Sequence, residues 1–223
     1  MTEHTVSSYD DDLRNLTGRI AEMGGQAESM VEDAINALVR QDVKAAQATA
    51  AKDRAINKME QQIEEAAVLI IARRQPMAQD LRQIIAALRI ATDLERVADL
   101  GKNIARSISS MDGKTPPKQL LHGIEHMAEI VLEQMRMVLD AYTTSDSNAA
   151  IAVVKRDDEV DAIYKSLFRE FLTYMMEDPR NITFCANLLF AAKHLERVGD
   201  HATNIAESVY YVDTGKVLED GTF

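Results

Sequence analysis

From Leu13 onward the apolar positions fall at Leu13, Leu16, Ile20, Met23, Ala27, Met30, Ala34 and Leu38. Steps of three and four sustained over about seven turns place one apolar stripe along a helix and predict a bundle element. Gly24 and Gly25 interrupt it. Each costs roughly 1 kcal/mol relative to Ala, so close packing or a bend is expected there. Asp42 is placed to cap a short helix through Ala51, and Asp53 a longer one through Arg74. Gln75-Pro76 breaks the pattern, and a third helix is expected from Gln79 to Ser110. The stretch from Asp112 to Pro117 carries the strongest turn chemistry, so a first unit over 1–112, a linker over 113–117 and a second unit over 118–223 are expected.

Beyond the linker the plan begins again. Leu120, Ile124, Met127, Val131 and Val138 stand 104 positions after Leu16, Ile20, Met23, Ala27 and Ala34, and Asp146 and Asp157 follow Asp42 and Asp53 at the same distance. Pro179 follows Pro76 at 103, and the later matches at 101, so the offset shrinks only around the Pro-bearing turn, where insertions cost least. The chain reads as a tandem duplication of one helical unit, each unit a three-helix bundle. Composition agrees: 9 Gly, 4 Pro, no Trp and 5% aromatics leave little material for turns or strands. The fold class is all-α.

Charge and cysteine narrow the function. A formal charge of −11 without a dense basic patch excludes nucleic acid as a partner. Cys185 is the single cysteine, so no internal disulfide forms and a reducing compartment is expected. The N-terminus lacks the features of a signal peptide, and the longest apolar run, Ala66 to Ala72, is too short to span a bilayer. These features together read as a cytoplasmic, soluble protein that meets membranes only peripherally, through partners.

The candidate chemistry lies in a stretch that occurs twice, Leu94-Glu95-Arg96-Val97-Ala98-Asp99 continuing to Asn103, and Leu195-Glu196-Arg197-Val198-Gly199-Asp200 continuing to Asn204. Glu, Asp and Asn stand four apart in both copies, which lines three oxygen-bearing side chains along one side of a helix. Counting back from the Pro-bearing turns sets Asp53 and Asn57 level with Glu95 and Asp99, and Asp157 and Asp161 level with Glu196 and Asp200. Carboxylates crowded in this way raise one another's pKa unless a cation compensates, so each unit is a candidate cation site. Oxygen ligands favour Mg, Mn, Ca or iron over structural zinc, and His201 beside Asp200 offers a nitrogen that would shift the second site towards iron or zinc. The alternative is a solvated acidic helix face paired with Arg96 and Arg197. His122 and His126 match a zinc-protease pattern, but their repeat counterparts, Gly18 and Glu22, are not histidines. No Gly-rich phosphate cradle is present, so the chain is not read as a nucleotide-driven enzyme.

Several segments closely resemble the PhoU family of accessory regulators of bacterial high-affinity phosphate transport. They are Met23-Gly-Gly, Ile70-Ile-Ala-Arg-Arg-Gln-Pro76, Asp80-Leu-Arg82, Leu94-Glu-Arg-Val-Ala-Asp99, Thr173-Tyr-Met-Met-Glu-Asp178 and His194-Leu-Glu-Arg-Val-Gly-Asp200. The resemblance runs from about residue 10 to 212. It implies two three-helix repeats whose acidic motifs hold a divalent or multinuclear metal, with iron, zinc, Mg and Mn as candidates. The implied ligands are Asp53, Glu95 and Asp99, and Asp157, Asp161, Glu196 and Asp200. Asn57 departs from the acidic pattern and offers a neutral oxygen. The resemblance further implies a non-enzymatic negative regulator of the phosphate regulon, often a homodimer. In that role it links the ATPase subunit of the phosphate ABC transporter to a phosphate-sensing histidine kinase. A carboxylate-rich metal buffer or metalloenzyme is the alternative.

Overall fold

The structure, a computed structural model, describes residues 2–108 and 117–218. Among them are six α-helices and no strand: α1 (Thr2–Arg40), α2 (Val43–Arg74), α3 (Ala78–Ser107), α4 (Lys118–Thr144), α5 (Ser147–Glu177) and α6 (Ile182–Thr214). The all-α expectation holds. Most of the expected linker lies outside the described residues. None of the helices is long and apolar enough to cross a membrane.

Two boundaries differ from the expectation. The helix begun at Leu13 reaches back to Thr2, and Tyr9 packs against the core ahead of the regular apolar stripe. The two segments expected between Asp42 and Arg74 form one uninterrupted helix. Ala50, Ala51 and Lys52 are strong helix formers, and nothing there competes with the backbone ladder strongly enough to break it. Asp53 is therefore a mid-helix side chain and not a cap.

Asp42 and Asp146 do cap their helices, and the turn before each is the same. Asp42 accepts from the Ala45 N–H at 3.0 Å, and Asp146 from Asn148 and Ala149 at 2.9 and 3.0 Å. The preceding residues, Gln41 and Ser145, both adopt left-handed conformations, with φ of 52° and 54°. Repetition of such a backbone detail ties the duplication to geometry as well as to sequence.

Each trio runs up, down and up. Asp12 meets Arg74 and Asp33 meets Lys52 across α1 and α2, which sets those helices antiparallel. Glu133 meets Arg156 across α4 and α5, with the same sense. The trios then join through α3 on α6 and α1 on α4, leaving α2 and α5 outermost. Glu28 pairs with Arg136, and a methyl group at Gly24 would collide with the Leu139 side chain, so α1 and α4 approach closely and antiparallel. The close packing expected at the glycine pair is met at Gly24, while Gly25 faces open space.

One apolar core runs through all six helices, from Leu16 and Ile20 on α1 to Ile205 and Val209 on α6. Ile20 and Ile124, equivalent in the two repeats, are fully buried. Truncating either to Ala should cost about 2–5 kcal/mol, with similar values at the two places. Urea unfolding of the two variants checks this; a loss below about 0.5 kcal/mol at either place would contradict the packing described.

Candidate functional site

The acidic rows lie where the outer helix of each repeat meets the helix at the repeat–repeat contact. In the first repeat, Thr92 on α3 donates to Glu60 on α2 at 3.2 Å, and Lys102 on α3 reaches Asp53 on α2 at 3.1 Å. Those pairs fix an antiparallel register in which Asp53 faces Asp99 and Asn57 faces Glu95. Counting from the turn sets Asp53 and Asn57 level with Glu95 and Asp99, and the observed register agrees with that to within one helical turn. In the second repeat the ammonium of Lys193 lies 5.3 Å from the centre of the Tyr164 ring, the positions equivalent to Thr92 and Glu60. There Asp157 faces Asp200 and Asp161 faces Glu196.

The expected residues are thus brought together in two rows, with one exception. His201 follows Asp200 in sequence but points across to the other repeat, where its Nδ1 lies 2.9 Å from Asp93 Oδ1 on α3. Asn204 also donates to Asp93, at 3.4 Å. His201 thereby ties α6 to α3 and does not join the carboxylates around Asp200. The symmetry-related place is taken by His194, whose buried Nδ1 has no partner. Burial lowers the pKa of His194, helped by Arg197 and opposed by Asp99, so its ring favours the neutral form.

The two rows differ in how their charge is compensated. In the first, Lys102 Nζ lies 3.1 Å from Asp53 Oδ1 and 2.5 Å from Asp99 Oδ1, with the lysine only 14% exposed. Asn103 donates to the other oxygen of Asp99 at 3.1 Å. Burial would pull the Lys102 pKa down, but its hydrogen bonds to Asp99 and Asp53 outweigh burial and hold it above its ordinary value. Burial would push Asp99 up, and the same lysine and Asn103 bring it below its ordinary value instead. Glu95, without such a partner, is raised by burial and by Glu60, against the pull of exposed Arg96. Asn57 Oδ1 is buried and unpartnered.

In the second row the lysines stand at the margin. Lys165 holds Asp161 at 2.8 Å and Lys193 holds Glu196 at 2.5 Å, both lysines well exposed. Asp157 has no cationic partner of this kind. Burial raises its pKa, with Asp200, Asp161 and Glu196 adding to the shift and a hydrogen bond from Gln134 opposing it. Gln134 is fully buried, donates to the Val153 carbonyl at 3.3 Å, and leaves its Oε1 without a partner. A Cβ built on Gly199 would stand 3.2 Å from that oxygen and 3.4 Å from Asp157 Oδ1, so Gly199 keeps this space clear.

Chemistry and donor set separate the two rows as metal sites. Between Asp53 and Asp99 the place of a cation is filled by an ammonium, and a metal ion does not fit there with Lys102 in position. Around Asp157 and Asp200 the donors are hard oxygens, with the neutral, unpartnered Gln134 Oε1 beside Asp157, which suits Mg or Mn. Among the described residues, no three His, Cys, Asp or Glu side chains converge as ligands of one ion, so a second-repeat ion would need that neutral oxygen or a closing of the rows. His122 and His126 are exposed on α4, His126 beside Glu129 at 4.0 Å. No acidic motif points to Lys102 or Gln134, although Lys102 lies inside the repeated stretch, at a position where the other copy has Thr203.

These rows on a doubled three-helix frame define a scaffold whose chemistry is carboxylate against cation. The PhoU domain matches residues 20–108 and 124–209, one match in each repeat. The phosphate-specific transport system accessory protein PhoU homolog of Rhizobium meliloti is 54% identical over 95% of this chain and 90% of its own length. Its counterpart in Caulobacter vibrioides strain NA1000 is 50% identical over 98% and 95%. The crystal structure of PhoU from Pseudomonas aeruginosa superposes with a TM-score of 0.88 at 40% identity, covering 93% of this chain and all of that one. The phosphate transport system regulatory protein PhoU of Streptococcus pneumoniae gives 0.87 at 26% identity, over 95% and 99%. The chain belongs to the PhoU family, whose members are regulatory accessory proteins and not enzymes. An accessory role in the regulation of phosphate transport goes with that membership.

A pH dependence follows from Asp157. In the unfolded chain its carboxyl returns to the ordinary aspartate value, so the folded state binds that proton more tightly. The associated stability is present below the ordinary value and is lost as pH rises through the raised one. Asp157→Asn should therefore melt higher than the natural protein at pH 7 in chelator, and the gap should shrink as pH falls towards about 3.9. Calorimetry across that range checks it; a lower melting temperature for the variant at pH 7 would contradict the charge-crowding account.

Proposed function

We propose that the protein is a cytoplasmic negative regulator of the phosphate regulon, acting as a homodimeric adaptor. It links the ATPase subunit of the phosphate ABC transporter to a phosphate-sensing histidine kinase and holds the response off when phosphate is plentiful. The observation that carries this reading is the match of both repeats to regulatory accessory proteins over nearly the whole chain. The surface supports an adaptor over a metal buffer. On α5, Phe168, Leu172 and Met176 are exposed at four-residue intervals, and Met176 is 86% exposed. An apolar row of that length on an acidic protein favours contact with other proteins. In the same reading a divalent ion at Asp157 and Asp200 biases the docking state by favouring one arrangement of α5 and α6.

Deleting the gene should raise phosphate-scavenging enzymes in phosphate-rich medium, and the natural gene should restore repression. Asp157→Asn combined with Asp200→Asn should leave the protein folded and abundant while repression weakens. Unchanged enzyme levels in the deletion strain would refute the regulatory role. Full repression by the double variant would refute the ion's part in it and leave the adaptor intact.

A further inference from the structure

Positions 101 apart on α3 and α6 occupy equivalent places, so Lys102 corresponds to Thr203. In the first repeat the Lys102 ammonium bridges Asp53 and Asp99 at 3.1 and 2.5 Å. An ammonium has three donors and one charge, and this one is tethered, so it cannot diffuse away from the pair. In the second repeat the equivalent side chain is a short hydroxyl, and its buried Oγ1 has no partner. Gln134, fully buried, leaves its Oε1 unpartnered beside Asp157, in the space that Gly199 keeps free of side chain. The first repeat is thus a completed ion pair, and the second is the same frame with a short hydroxyl in place of the cation and the neutral oxygen of Gln134 beside Asp157.

We propose that Lys102 is a built-in cation that closes the first repeat to metal. The ion reading then holds for the second repeat alone, at Asp157, Asp200 and Gln134. This rests on the reading of the second repeat as an ion site given above. It adds that the repeats have divided labour: α2 and α3 are locked at all ion concentrations, and the α5–α6 pair gains stability only as an ion binds.

Titration of metal-free protein with manganese(II), followed by calorimetry and by electron paramagnetic resonance, decides it. The natural chain should take up one ion. Lys102→Thr, which copies the second repeat into the first, should take up two, and Thr203→Lys should take up none. In chelator, Lys102→Met should lower the melting temperature by about 5 °C, as expected for breaking a largely buried charge pair. Thr203→Lys should raise it, which separates a filled site from a misfolded one. Uptake of two ions by the natural chain, or one by Lys102→Thr, would overturn the assignment of Lys102 while leaving the second site standing. Uptake of none by the natural chain would overturn the proposal through the ion reading on which it rests.

Discussion

Two acidic helix edges can lie side by side only if something offsets their repulsion, and each repeat is arranged around that constraint. The apolar stripes of α2, α3, α5 and α6 join one core, and burying them fixes which carboxylates face one another. Asp53 is brought to Asp99, and Asp157 to Asp200, whatever their mutual charge costs. In the first repeat Lys102 converts that cost into a bridged pair. In the second the outer lysines reach Asp161 and Glu196 but not Asp157, whose carboxyl is pushed up by burial and by its acidic neighbours. Core packing therefore creates the electrostatic problem, and single residues on α3 and α6 determine how each repeat resolves it.

The same geometry ties the repeats together. The helices α3 and α6 are inner elements, packed within their own trio and against each other, and α1 and α4 close the contact beside them. Asp93 receives both His201 and Asn204 across it, while the equivalent place on the other side holds His194 with an unpartnered ring nitrogen. The pseudo-symmetry is thus broken in the clasp as it is in the acidic rows. An ion that moved α5 against α6 would act on a helix already bonded to the first repeat, which gives the second site a physical route to the whole molecule.

Much of this was legible in the sequence because it depends on period and repetition. The three- and four-residue steps from Leu16 to Leu38, the return of the same steps from Leu120, and the paired caps at Asp42 and Asp146 are local signals that the fold obeys. The level of Asp53 against Glu95 and Asp99 could be counted because two helices joined by a short turn leave little freedom in register. What stayed hidden depended on rotation about the helix axis and on side-chain reach. His201 lies next to Asp200 in sequence and about 100° away around the helix, so it faces Asp93 instead. Gln134 is on α4, remote in sequence from every acidic motif. Lys102 was in view, one turn beyond Asp99, but only the structure shows its chain folding back between the two carboxylates. The break expected at Asp53 failed because an acid can occupy a helix interior when its neighbours favour the helix.

In the proposed arrangement one frame, used twice, is closed by a lysine in the first repeat and left open to a divalent ion in the second. Anomalous diffraction from crystals of the natural chain soaked in manganese(II) is the decisive measurement, because it locates the ion and does not merely count it. An anomalous peak is expected beside Asp157 and Asp200, and none between Asp53 and Asp99, where the Lys102 ammonium remains. A peak between Asp53 and Asp99, with Lys102 swung out to solvent, would contradict it.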